Sequence, residues 1–499
     1  MTTAKKVGLF TGLIISIVIL LFGNLDPSNS KVTIMAAIAA LMAVWWISEA
    51  VPLAATSLIP LILFPLFGLL DADEIANSYI NSIIFLFLGG FMIALSMERW
   101  GLHKRIALRI ITLFGGSPVS IIIGFMVASA FLSMWISNTA TAIMMLPIAL
   151  AIILKMENEF GENKAHNFSV TLLLGIAYSC TLGGVGTVVG TPPNMVFIKV
   201  LNILFPDAPE ISFGQWMLLG VPVSILMLMA SAFLLTKIYF KVDKTLKIDR
   251  KFIREEYEKL GSLSFEEKTI SIVFALTAFL WIFRSDLNLG FITIPGWSNL
   301  LPYSAFVNDG TVAITMAFIL FLIPSKKEKT TLLDNNVFFK IPWGVILLFG
   351  GGFALANGFS NTGLSTFIGE QLSGMESLSH IFIIFVTAAT ISFLTELTSN
   401  TATTQMILPI LASVAIAMGM NPLLLMLTAT LSASMAFMLP VATPPNTIIF
   451  ASSRIKVTEM VKAGFALNFL GVIIVTLLVY FVGELVFDLG TFPGWAVTK

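Results

Sequence analysis

Charge is what this chain has least of. Asp, Glu, Lys and Arg make up 11% of its 499 residues, against about 25% in an ordinary soluble domain. Lys plus Arg and Asp plus Glu number 28 each, so no basic surplus points to nucleic acid. A single cysteine, Cys180, excludes an intrachain disulfide and a cysteine-rich metal site; inert packing is its ordinary role. Three histidines, His103, His166 and His380, are too dispersed along the chain to mark a metal cluster. What is abundant is apolar: 57% of residues are hydrophobic and mean hydropathy is +0.95. The composition is that of an integral membrane protein, with the lipid bilayer as its solvent.

Uncharged runs mark the spans, each of which needs about 20 apolar residues. Lys5 and Lys6 precede an apolar run with no small-residue cleavage site. We therefore read 7–25 as a first transmembrane helix rather than a signal peptide. Runs 32–48, 51–70 and 75–97 predict three more helices, the last carrying Gly89-Gly90. The run 110–154 has 45 residues without a charge, too many for one helix. Two full spans or a re-entrant hairpin both return to the same side. The polar Ser137-Asn138-Thr139 past its midpoint favours a hairpin whose tip lies in a buried cavity. The run 167–198 holds Gly183, Gly184 and Gly186, then Gly190-Thr191-Pro192-Pro193-Asn194, and predicts an unwound segment between two half-helices. A span near 211–235 leads to a connector, 237–268, whose nine Lys/Arg place it in the cytoplasm. Spans near 269–283 and 311–323 enclose an external loop with Pro295, Trp297 and Pro302; Trp297 and Trp495 fit interfacial anchoring.

The remainder replays the first half. Ser137–Ile148 and Ser399–Ile410 are identical at nine of twelve positions, 262 residues apart. At the same offset, Ile83–Leu102 matches Val345–Leu364 at nine of twenty positions, including Gly89/Gly351, Gly90/Gly352 and Gly101/Gly363. Gly190-Thr191-Pro192-Pro193-Asn194 returns as Ala442-Thr443-Pro444-Pro445-Asn446, 252 residues on. The fourth and ninth spans are five crossings apart, an odd number, so the repeats are inverted, as in many secondary transporters. The expectation is an all-α membrane protein with about eleven transmembrane helices, two re-entrant hairpins and two unwound helices. Its N-terminus is cytoplasmic and its C-terminus external, in the cell membrane. The expected divisions are 1–74, N-terminal helices; 75–236, a first repeat with hairpin 118–154 and unwound helix 168–200; 237–268, the connector; 269–336, connecting helices; and 337–499, a second repeat with hairpin 379–416 and unwound helix 423–450.

Small hydroxyls, amides and freed backbone carbonyls are hard oxygen ligands suited to Na⁺. Half-helix N-termini beside them favour an anion. Asn and Thr side chains donate to carboxylate oxygens. No Lys or Arg falls inside 167–198 or 397–453, so a bound anion would need cations for charge compensation. Small polar residues in membrane helices often serve only to pack them together. That bland reading fits a lone triplet and the glycine pairs better than it fits the doubled, inverted set. Glu396, three residues before Ser399, is an intramembrane acid with two open readings. It could be a proton-linked or cation-linked group, or a structural partner to a neighbouring amide. An intramembrane enzyme would need a nucleophile with a base, and no His accompanies the triplets. A channel would call for a lined pore rather than occluded binding motifs.

The paired Ser-Asn-Thr and Thr-Pro-Pro motifs resemble those of the divalent anion/sodium symporter family, the INDY-like di- and tricarboxylate transporters, over almost the whole chain. The resemblance implies a Na⁺-coupled symporter of C4-dicarboxylates, with a Na⁺-independent dicarboxylate/2-oxoglutarate exchanger, or a citrate or sulfate symporter, as alternatives. It implies an elevator motion of a transport domain against a dimeric scaffold, and two or more Na⁺. One sodium site would use Ser133, Ser137, Asn138 and Gly190; the other Thr395, Thr398, Asn400 and Ala442. Substrate carboxylates would meet Asn138, Thr139, Asn400, Thr401, Thr443 and Pro444. Ser133 and Thr395 are each four residues before the first residue of their triplet, a spacing that falls on one helical face.

Overall fold

Long apolar runs become helices because a bilayer offers no other partner for backbone N–H and C=O groups. The computed structural model describes residues 2–243, 246, 250–289, 292–371 and 378–496; part of the connector and the last three residues lie outside them. The chain opens with α1 (Thr3–Phe22) and α2 (Ser30–Ser48), which pack against each other. The run 51–70, expected as one helix, is instead two, α3 (Leu53–Thr56) and α4 (Ile59–Leu66). Tertiary contacts stabilise the break. Tyr79 donates its hydroxyl to the Ser57 carbonyl, and a Cβ on Gly351 would lie 2.5 Å from Ser57 Cβ. The run 75–97 is likewise divided, into α5 (Ala72–Tyr79) and α6 (Ser82–Arg99), where Asn81 caps the N–H of Ile83.

The amphipathic α7 (Leu102–Leu113) leads into the first hairpin, α8 (Pro118–Ser133) and α9 (Asn138–Phe160). Then come α10 (Glu162–Val185), a break, α11 (Pro192–Leu204) and α12 (Phe213–Phe233), which runs on as a π-turn to Tyr239. In the connector, α13 (Arg250–Glu258) packs against α7. Arg105 on α7 pairs with Glu267 and donates to the carbonyls of Leu260, Gly261 and Ser262. The α14 (Phe265–Ile282) and α15 (Asp309–Leu322) helices flank a loop with the short antiparallel pair β1 (Leu287–Asn288) and β2 (Thr293–Ile294).

The second repeat runs through α16 (Val337–Lys340), α17 (Trp343–Thr362) and α18 (Leu364–Gln371) to a second hairpin, α19 (His380–Leu394) and α20 (Asn400–Ala417). It ends with α21 (Pro422–Ala433), a second break, α22 (Pro444–Phe450), α23 (Val457–Leu478), a second π-turn and α24 (Glu484–Phe487). Among the described residues, nine helical stretches are long and apolar enough to cross a membrane, and six shorter apolar ones lie between them. The longer set includes α9 and α20, which the two triplets begin, while the opposite hairpin arms α8 and α19 and the half-helices α11 and α21 fall in the shorter set.

The repeats interlock. The α9 helix packs against α22, and α11 packs against α20, so each hairpin rests on the broken helix of the other repeat. Tyr178 on α10 donates to the Phe437 carbonyl in the second break, stitching the two further.

Candidate functional site

Both triplets sit where a helix begins. Ser137 caps α9, its hydroxyl accepting the Ala140 N–H at 3.2 Å; Ser399 caps α20 by accepting from Ala402. The Asn and Thr of each triplet therefore occupy a first turn, where free N–H groups and the helix dipole favour negative charge. Thr139 is half-buried and Thr401 buried.

Around Asn138 the sequence expectation becomes geometry. One atom of its carboxamide has three oxygens around it: Ser133 Oγ at 2.5 Å, Cys180 O at 3.0 Å and Gly190 O at 3.3 Å. Amide nitrogen placed there donates to all three, with two hydrogens for three acceptors. Ser133 in turn donates to Cys180 O at 2.6 Å. Ser133, Asn138 and Gly190 are thus brought together. Gly184 must be glycine here, since a Cβ would lie 2.7 Å from that same Asn138 carboxamide atom and 2.9 Å from Gly190 O.

The second repeat reproduces the motif. Thr395 Oγ1 lies 2.7 Å from Asn400 Oδ1 and 2.9 Å from Ala433 O. Thr395 and Ser133 are both fully buried. Thr398 bonds elsewhere, donating to Leu394 O and meeting Thr403 Oγ1 at 2.6 Å. Ala442, Thr443 and Pro444 form the end of the second break and the start of α22. Thr443 Oγ1 accepts from the Asn446 N–H; among the described residues no hydrogen bond joins these three to Asn400.

Glu396 is held by four N–H groups. The backbone N–H groups of Phe437, Met438 and Leu439 donate at 2.6, 2.9 and 3.1 Å, and Asn468 Nδ2 on α23 donates at 2.7 Å. The residue 262 positions earlier is Met134, whose carbonyl accepts from Thr187 Oγ1 at 2.5 Å. Both ties join a hairpin tip to a break, one through a hydroxyl and the other through a carboxylate.

Sequence reasoning quoted Asn194 and Asn446 as the ends of their motifs but gave them no task. Asn194 Nδ2 lies 2.7 Å from Thr187 O, 3.2 Å from Gly184 O and 3.4 Å from Val185 O. Asn446 Nδ2 lies 3.1 Å from Leu439 O and 3.4 Å from Ala436 O. Their recurrence at the 252-residue offset was the available signal.

Two inverted repeats, two hairpins and two broken helices meeting at small polar groups define a secondary transporter of the inverted-repeat class. Residues 3–489 match the family described as the sodium:sulfate symporter transmembrane region, and the chain belongs to that family. It is similar to the sodium-dependent dicarboxylate transporter SdcS of Staphylococcus saprophyticus, 45% identical over 485 residues, covering 96% of this chain and 91% of the relative. SdcS of Staphylococcus aureus is 42% identical over 492 residues, covering 97% and 92%. Among solved structures, the YdaH transporter of Alcanivorax borkumensis has a TM-score of 0.56 at 12% identity, covering 89% of this chain and 98% of that one. MtrF of Neisseria gonorrhoeae has a TM-score of 0.55 at 12% identity, covering 90% and 94%. These two likenesses speak to the fold alone.

Proposed function

We propose that this chain is a sodium-coupled symporter of C4-dicarboxylates such as succinate, malate and fumarate. The observation that carries the reading is the doubled oxygen cluster at the two triplets. Ser133 Oγ, Cys180 O and Gly190 O converge on one atom of the Asn138 carboxamide. This donor set fits Na⁺: it is all oxygen, mostly neutral, and too rich in acceptors for one amide to satisfy. With a cation among them the amide would turn its oxygen inward and add a further ligand. The relatives named as sodium-dependent dicarboxylate transporters support the same reading.

In this proposal two or more Na⁺ bind, one at Ser133, Ser137, Asn138 and Gly190 and another at Thr395, Thr398, Asn400 and Ala442. The dicarboxylate lies between the helix N-termini, contacted by Asn138, Thr139, Asn400, Thr401, Thr443 and Pro444. The ions neutralise the anion, a task that no Lys or Arg within 167–198 or 397–453 performs. The interlocked hairpins and broken helices then move together as one body in an elevator motion. The remaining helices form the static, dimeric scaffold, with the N-terminus cytoplasmic and the C-terminus external.

Uptake of labelled succinate, citrate, 2-oxoglutarate and sulfate into proteoliposomes, each with and without a Na⁺ gradient, tests the proposal. Succinate uptake driven by inward Na⁺ is expected. Uptake that ignores Na⁺ but requires preloaded internal anion would replace symport with exchange, and preference for citrate or sulfate would change the substrate.

A further inference from the structure

An unwound segment inside a membrane protein leaves carbonyls that no helix pairs. Each break here solves this with one asparagine. Asn194 and Asn446 are both fully buried, two residues into the helix that follows the break. Each turns its NH₂ back across the break. Asn194 faces the carbonyls of Gly184, Val185 and Thr187, and Asn446 those of Ala436 and Leu439. Gly184/Ala436 and Thr187/Leu439 are the same positions of the two repeats. In both copies the Oδ1 is buried without a hydrogen-bond partner.

Among the carbonyls these amides leave alone are the two assigned above to the ion sites, Gly190 O and Ala442 O. Among the described residues the Asn138 amide is the one donor to Gly190 O, and nothing donates to Ala442 O. We propose that Asn194 and Asn446 are paired positioning residues for the coupling ions. Each collects the non-liganding carbonyls of its own break, so that Gly190 O and Ala442 O stay free and aimed at sodium. The inference rests on the sodium reading above and adds two residues outside it. In the first repeat the chain of positioning is continuous. Asn194 holds Gly184 O, and Gly184 lies against both Asn138 and Gly190.

The test is sodium titration of the thermal unfolding midpoint in detergent, with choline keeping ionic strength constant. Wild type, Asn194→Ala, Asn446→Ala and Asn194→Asp are compared, each first checked for a monodisperse folded peak. The half-saturating Na⁺ concentration is expected to rise roughly 10–100-fold in each alanine variant, the usual effect of losing an outer-shell partner. Asn194→Asp supplies a donor only when protonated, so its sodium affinity should recover between about pH 7.5 and pH 5.5, relative to wild type. Folded variants with wild-type half-saturation overturn the inference, as does failure of all three to fold, which would make the amides general determinants of the fold. A wild type that sodium does not stabilise overturns the sodium reading beneath it.

Discussion

Asn468 Nδ2 lies 2.7 Å from Glu396 Oε1, so α23 grips the tip of the second hairpin directly. The same carboxylate gathers three consecutive backbone N–H groups of the second break. Glu396→Gln puts an NH₂ among these donors. Leaving a buried donor unpaired costs about 1–3 kcal/mol. The variant should melt markedly lower and lose most uptake. Asn468→Ala leaves the three backbone bonds intact and should have the smaller effect. Equal melting shifts in the two would refute this ordering.

The triplet asparagines make a different prediction. Asn138→Ala and Asn400→Ala each remove a group at a helix start without emptying the core. Both proteins should purify folded yet show no sodium-driven succinate uptake in proteoliposomes. Full activity in either would refute its place in the site.

Gly184 and Ala436 occupy the same position of the two repeats, and their environments differ. Gly184→Ala drives a methyl group to within 2.7 Å of the Asn138 carboxamide and should abolish uptake. Ala436→Gly removes a methyl the second break tolerates and should keep uptake within about twofold of wild type, the range of a mild substitution. Parallel uptake assays on the pair decide the matter.

Gly352 and Gly90 form a second such pair. A Cβ on Gly352 would lie 2.5 Å from Gln405 Nε2, which donates to Leu348 O at 2.9 Å. A Cβ on Gly90 would find its nearest neighbour at 3.6 Å. Gly352→Ala should therefore lower the melting midpoint, by an overpacking cost of about 1–3 kcal/mol, while Gly90→Ala should not. Scanning calorimetry of both variants checks this.

These pairs also show how far the sequence reaches. The duplication, the hairpin tips and both breaks were legible because each is local: a polar triplet or a Gly/Pro cluster interrupting an apolar run. Ser133 and Thr395 came from the family resemblance, and the one-helical-face spacing expected of them does not hold: each ends one hairpin arm and meets the asparagine that starts the other arm across the tip. The partners of Glu396 were not, since they come from 41 to 72 residues further along the chain. Nor was the break at Ser57, which is fixed by Tyr79 and Gly351 from two other helices. Gly352 matches Gly90 in the alignment, yet only its packed surroundings distinguish it.

The crossed packing of α9 on α22 and α11 on α20 has a mechanical consequence. The oxygens around each triplet asparagine come from its own repeat, while each hairpin leans on the broken helix of the other. A displacement of either hairpin therefore presses on the opposite break, and the two clusters are coupled by contact rather than by a shared ligand.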